Sequence, residues 1–219
     1  MVAPLAVRTS IKWIGLLLEK YPVKACAPRK SKDLGELFRV DAKAEGVGVA
    51  TIGGWPTARG TATSKAAWFA YTIREEEFPW VFEKGRPFKV IAALELLAVL
   101  FGVVLFVPAC DHGDGLARVP FSACTDNHGN DFLVRKWLTT KFPLCLVAME
   151  LATQLTVRHL DLTLAWRRRD TNTEADDLTN GLFGRFDPVR RLDATQVASS
   201  FICMSELEQA TREWRRERQ

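Results

Sequence analysis

Four carboxylates of this chain stand where carboxylates are costly: Asp41 in FRVDA, Glu95 in IAALELLAVL, Asp126 in SACTDNHGN and Asp176 in NTEADDLTN, each in or beside an apolar run. An ionised acid among apolar neighbours must be paired, hydrogen-bonded or bound to a cation to offset its desolvation. Four hard oxygen donors drawn from four distant segments are the raw material of a divalent-metal site. Three of them also have plainer readings. Asp41 alone would pass for a surface residue near a turn. Asp126 could cap the helix after it, as Asn127 or Asn130 could, and Asp176 could serve a helix N-terminus through the dipole, in competition with Glu174 and Asp177. Glu95 has no such structural excuse, because lone buried carboxylates are rare. Asp177 is the reserve ligand should the helix phase be off by one residue.

Periodicity defines the elements that must position these acids. A first strand begins near Leu37 and carries Asp41, and Ala44-Glu45-Gly46 turns the chain into a second strand, 46–55, where Val47, Val49 and Thr51 alternate with small residues. A third strand is expected at 67–73, with Trp55, Trp68, Phe69 and Tyr71 as sheet packing. The stretch REEEFPWVFEKGRPF reads as a long surface connection. Its Trp80, Phe82, Lys84 and Arg86 suit either a nucleic-acid-contacting surface or a loop anchored over the core. Helix A is expected over 90–106, stopping at Pro108. A fourth strand follows over 120–126, and helix B over 130–140 places Phe132, Lys136, Trp137 and Leu138 at helical intervals. A further helical run starts at Pro143 and a fifth strand covers 161–166. Arg167, Arg168 and Arg169 then precede a last short helix, 173–180, with Asn172 as its N-cap and Gly181 as its stop. This order predicts an α/β fold, a five-stranded mixed sheet with helices on both faces. The right-handed crossover rule lays strand four parallel beside strand one, so that Asp41 and Asp126 become neighbours.

The composition, 47% hydrophobic and 26% charged, is that of an ordinary globular protein, and a net charge of +4 permits a polyanionic partner without requiring one. Five cysteines, Cys26, Cys110, Cys124, Cys145 and Cys203, form no Cys-x-x-Cys pair, which points to reduced thiols and an intracellular protein, cytoplasmic or nuclear. Lys12 within IKWIGLLL, with Glu19 and Lys20 directly after it, argues against a signal peptide. The run from Val90 to Val107 has bilayer-spanning length, but Glu95 inside it would cost about 2 to 3 kcal/mol on insertion. A buried core helix is the preferred reading, and no stable membrane association is expected. Residues 1–35 read as an extension with a Pro/Lys/Arg-rich linker, 36–186 as the domain, and 187–219 as a tail. In that tail Met204, Leu207, Ala210 and Trp214 recur on one helical face.

The succession FRVDA, ALELLA, CTDNHGN, NTEADDLTN resembles the ribonuclease H domain attached to retroelement reverse transcriptases, over about residues 37–185. TDN on the fourth strand and N-x-x-A-D-x-L-[ST] near the end are its most specific pieces. The resemblance implies that Asp41, Glu95, Asp126 and Asp176 hold two Mg²⁺ ions, with Mn²⁺ as an alternative, and hydrolyse the RNA strand of an RNA–DNA hybrid. It implies a hybrid or other nucleic acid as partner, contacted through phosphates and 2′-hydroxyls, and a polymerase domain in the same polyprotein, of which IKWIGLLLE would be a remnant. Asn127, His128 and the three arginines 167–169 join Trp80, Lys84 and Arg86 as candidate nucleic-acid contacts. The chain departs from several retroviral relatives in having Arg167 to Arg169, and no histidine, in the loop before the last helix. Arginine can hold phosphate but cannot act as a base. His128 beside Asp126 is a substitute for the missing histidine, and a non-catalytic module that binds nucleic acid or braces a polymerase is the alternative function.

Overall fold

The computed structural model describes residues 3–20, 33–46, 48–57, 61–83, 85–107 and 118–216. Helix α1 (Leu5–Lys20) precedes three antiparallel strands, β1 (Glu36–Glu45), β2 (Val49–Pro56) and β3 (Phe69–Thr72). A short helix α2 (Pro79–Phe82) and a 3₁₀ turn lead into α3 (Ile91–Phe106). The chain then runs through β4 (Val119–Thr125), α4 (His128–Lys136), α5 (Leu144–Val157), β5 (Leu160–Trp166), α6 (Thr173–Thr179) and α7 (Met204–Arg216). The strands form one sheet in the order β3-β2-β1-β4-β5, with β4 parallel to β1 and to β5. This is the expected five-stranded mixed sheet, and the crossover expected between strands one and four is present. The expected linker, residues 21–33, lies outside the described residues except for Asp33, and Cys26, Lys84 and Cys110 lie outside them too.

Alternation along β1 divides its side chains between two layers. Phe38, Val40 and Ala42 enter the main core with Leu94, Leu97 and Phe101 of α3. Eleven of the sixteen α3 residues are buried inside the protein, so the one helical stretch of membrane-spanning length among the described residues is the central core helix. Its close approach to the sheet depends on Gly102, where a Cβ would lie 2.5 Å from the Phe38 ring. On the opposite face, Trp55, Trp68, Ala70 and Phe186 pack with Ala175 and Leu178 of α6. Gly53 allows this, since a Cβ there would meet Leu178 Cβ at 2.9 Å.

Several local expectations change under tertiary packing. The stretch 74–88 is not irregular throughout, because Pro79 opens α2 and turns Trp80 into the core. Helix α4 ends earlier than expected, at Lys136. Trp137 adopts a left-handed conformation (φ 49°) as its C-cap, so Trp137 and Leu138 leave the helical face and are exposed. Of the strand-like and helical readings open for residues 10–19 the structure takes the helical one, and α1 packs against α5 and α7. Trp13 Nε1 donates to Thr153 Oγ1 at 2.9 Å, Lys20 pairs with Glu206 at 2.8 Å, and the Arg8 guanidinium lies over the Trp214 ring. The N-terminus of α7 is held by Glu150 of α5, which is fully buried and accepts the backbone N–H groups of Ile202, Cys203 and Met204 at 2.8–3.0 Å. These are donors that a helix start leaves without partners, and an anion is favoured there by the helix dipole.

Candidate metal centre

Asp41 lies mid-strand on the face opposite Phe38 and Val40, beneath α6, and is 1% exposed. Glu95, in the second turn of α3, comes to the same place, is 3% exposed, and has Thr125 Oγ1 3.5 Å from its Oε2. Asp126 follows the last residue of β4, the strand parallel to β1, and stays partly accessible. One carboxylate oxygen from each of Asp41, Glu95 and Asp126 lies within 4.8 Å of the others. Asp176, the fourth expected ligand, stands just outside this triad. Its Oδ1 is 3.4 Å from Arg169 Nε, which is also 3.3 Å from Asp126 Oδ2, while its Oδ2 accepts Asn180 Nδ2 at 2.8 Å. Asp177 turns the other way, into an ion pair with Arg185 at 3.1 Å. That contact engages the reserve candidate away from the triad.

Polar side chains fix the elements that carry the acids. Asn130 Nδ2 donates to Ala92 O at 2.9 Å, tying α4 to the first turn of α3, and Asn127 Oδ1 accepts Asn130 N–H as the α4 N-cap. Asn172 is the N-cap residue of α6, as expected, but its side chain makes no capping hydrogen bond. Its Nδ2 instead donates to Val40 O at 3.0 Å, anchoring the helix start on β1 beside Asp41. Thr179 Oγ1 donates to Asp41 Oδ2 at 2.6 Å. Asn172 and Thr179 are the outer positions of the motif N-x-x-A-D-x-L-[ST], and Thr179 lies one helical turn after Asp176. The pattern thus contained them, but only the tertiary contacts give them their roles.

The electrostatics are those of acids crowded in a dry place. Burial, reinforced by Asp126 and Asp176 and opposed by the Thr179 hydrogen bond and Arg169, pushes Asp41 up to about 7. Burial and the charges of Asp41 and Asp126 raise Glu95 well above the carboxylate range. Asp41 Oδ1 is buried and has no hydrogen-bond partner among the described residues. Three converging hard oxygens with one orphaned carboxylate atom fit a divalent cation, which supplies the charge the cluster otherwise lacks.

The other candidate contacts separate by environment. Trp80 does not face nucleic acid. It is 2% exposed, edge-on to Phe78 in the core, because α2 folds it inward. Arg86 is exposed. Arg167 is engaged on the sheet, its guanidinium 2.7 Å from Glu36 and 3.1 Å from Cys124 Sγ. Burial alone would raise Glu36, but the hydrogen bonds from Arg39, Arg167 and Cys124 outweigh it and hold the carboxyl at about 2. Arg168 pairs with Asp170 at the surface. His128 is exposed and edge-on to Trp166, whose Nε1 donates to Asp126 O at 3.0 Å. Trp166, Phe132 and Trp137 are 45%, 59% and 43% exposed, and Lys136 lies over Phe132. Trp166 beside Asp126, and Phe132, Lys136 and Trp137 along and after α4, therefore present aromatic and cationic groups to solvent. Trp166 was not among the expected contacts, because a strand-ending tryptophan reads as packing.

No family model matches the chain, and no curated protein matches it. Among solved structures it is similar to ribonuclease H1 of the halophilic archaeon Halobacterium salinarum, at 17% identity and a TM-score of 0.44, covering 68% of this chain and 98% of that one. The N-terminal ribonuclease H domain of a Mycobacterium tuberculosis protein, solved as a maltose-binding-protein fusion, matches at 19% identity and 0.46, covering 69% and 94%. LC11 ribonuclease H1 in complex with an RNA/DNA hybrid matches at 16% and 0.42, covering 66% and 93%. At these identities the likeness concerns the path of the chain and not its chemistry, which rests on the residues described above.

Proposed function

We propose that this chain is a metal-dependent endonuclease that hydrolyses the RNA strand of RNA–DNA hybrids. The observation that carries the reading is the meeting of Asp41, Glu95 and Asp126 oxygens within 4.8 Å, with Asp41 Oδ1 buried and unpartnered among the described residues. Asp41, Glu95 and Asp126 would hold Mg²⁺ or Mn²⁺, and Asp176 completes the set from α6. A pair of such ions supplies an activated water and stabilisation of the leaving 3′ oxygen in displacement at phosphorus. Thr179 holds Asp41 through Oδ2, leaving Oδ1 for a cation, and Asn180 fixes the Asp176 carboxylate. The exposed Trp166, hydrogen-bonded to Asp126, and the exposed Phe132, Lys136 and Trp137 of the helix that follows Asp126 and its C-cap offer stacking faces and positive charge, as nucleic-acid surfaces do. The hybrid as substrate, and a place within a retroelement reverse transcriptase alongside a polymerase domain, are drawn from the motif resemblance.

A second reading, a module that binds nucleic acid without cutting it, is favoured by Arg169 standing within 3.4 Å of both Asp126 and Asp176. Cleavage of an end-labelled hybrid in Mg²⁺ by native protein and by Asp126→Asn separates the two. Cutting that is lost in the variant and in EDTA supports the nuclease. Equal background cutting by both proteins refutes it.

A further inference from the structure

The three consecutive arginines after β5 have three different environments. Arg167 is spent on Glu36 and Cys124, Arg168 on Asp170, and Arg169 alone of the three is directed at the acids. Its Nε contacts, 3.3 Å to Asp126 Oδ2 and 3.4 Å to Asp176 Oδ1, are longer than the 2.7–2.9 Å of a well-made charged hydrogen bond, and its side chain is 67% exposed. A loose, solvated ion pair of this kind is easily given up. Resting on the metal-centre reading, we infer that Arg169 is a displaceable counter-cation. It competes with a divalent ion for Asp126 and Asp176, and once displaced it presents its guanidinium at the rim to a phosphate of the polyanion.

Asp126 and Asp176 add negative charge around Asp41, and Arg169 opposes it from a 3₁₀ turn (Arg169–Thr171), its side chain 67% exposed. A cation bound between the same oxygens makes the guanidinium redundant there, and like charges at that distance drive it outward. A polyanion that captures the released arginine removes the competitor from the acids, so by linkage polyanion and metal each tighten the binding of the other.

Two measurements on the full chain test this. Mn²⁺ titration, followed by the resonance of the free ion at pH 7.5, compares native protein with Arg169→Gln, Arg169→Lys, Arg168→Gln and Asp126→Asn. Arg169→Gln is expected to bind Mn²⁺ about threefold to tenfold more tightly than native, with Arg168→Gln unchanged and Arg169→Lys between them. The salt dependence of hybrid binding is then measured in Ca²⁺ and in EDTA. Arg169→Gln is expected to lose about one unit of logarithmic slope in Ca²⁺ and none in EDTA. Equal or weaker Mn²⁺ binding by Arg169→Gln overturns the inference while native binding that Asp126→Asn abolishes leaves the metal centre standing. An effect of Arg168→Gln as large as that of Arg169→Gln also overturns it, since a general field and not competition would then be at work. Native Mn²⁺ binding that Asp126→Asn leaves unchanged removes the metal centre and this inference with it. Melting in EDTA verifies that each variant is folded.

Discussion

Replacing Asp41 by Asn in the metal-free protein has a consequence whose sign follows from burial. The folded carboxyl titrates at about 7 against 3.8 in its ordinary environment, so between these values the native state holds a proton that the unfolded chain releases. Stability from this group is therefore fully present below pH 3.8 and is lost as the pH rises through 7. At 1.36 kcal/mol per unit, the 3.2-unit difference (7 minus 3.8) corresponds to about 4 kcal/mol between pH 4 and pH 8. Asparagine keeps an oxygen to accept Thr179 Oγ1, carries no titrating proton, and relieves the Asp41 contribution that raises Glu95. Urea unfolding in EDTA across this range is expected to show native protein losing stability steeply and Asp41→Asn losing much less, so that the variant is the more stable of the two at pH 8. Saturating Mg²⁺ then stabilises native protein at pH 8 and leaves the variant unmoved. Parallel pH profiles for the two proteins, within 1 kcal/mol, would refute the picture of a buried acid awaiting a cation.

Two further outcomes test the scaffold around the acids. Gly53→Ala places a Cβ 2.9 Å from Leu178 Cβ and forces α6 away from β2; destabilisation of about 1–3 kcal/mol is expected, together with weaker Mn²⁺ binding, read by urea unfolding and titration. Glu150→Ala strands the three N–H groups that start α7; a loss of about 2–4 kcal/mol and faster proteolytic release of the C-terminal helix are expected, with metal affinity unchanged.

Motif order and periodicity in the chain already carried the strand sequence, the parallel pairing of strands one and four, and the acids themselves, because a charge inside an apolar run is a local anomaly. Glu95 is the clearest case, one carboxylate in an otherwise uncharged helix that could only be core or membrane. Packing decided between those two, by placing Phe38 against Gly102 and closing α3 under the sheet. It also decided which of two adjacent acids lies by the site, since the docking of α6 on Gly53 brings Asp176 to Arg169, which also contacts Asp126, and sends Asp177 to Arg185. Trp80, Trp137 and Arg169 were beyond the reach of sequence for the same reason. Whether a side chain is buried, exposed or bridging depends on surfaces contributed by segments remote in the chain, and no local pattern records them.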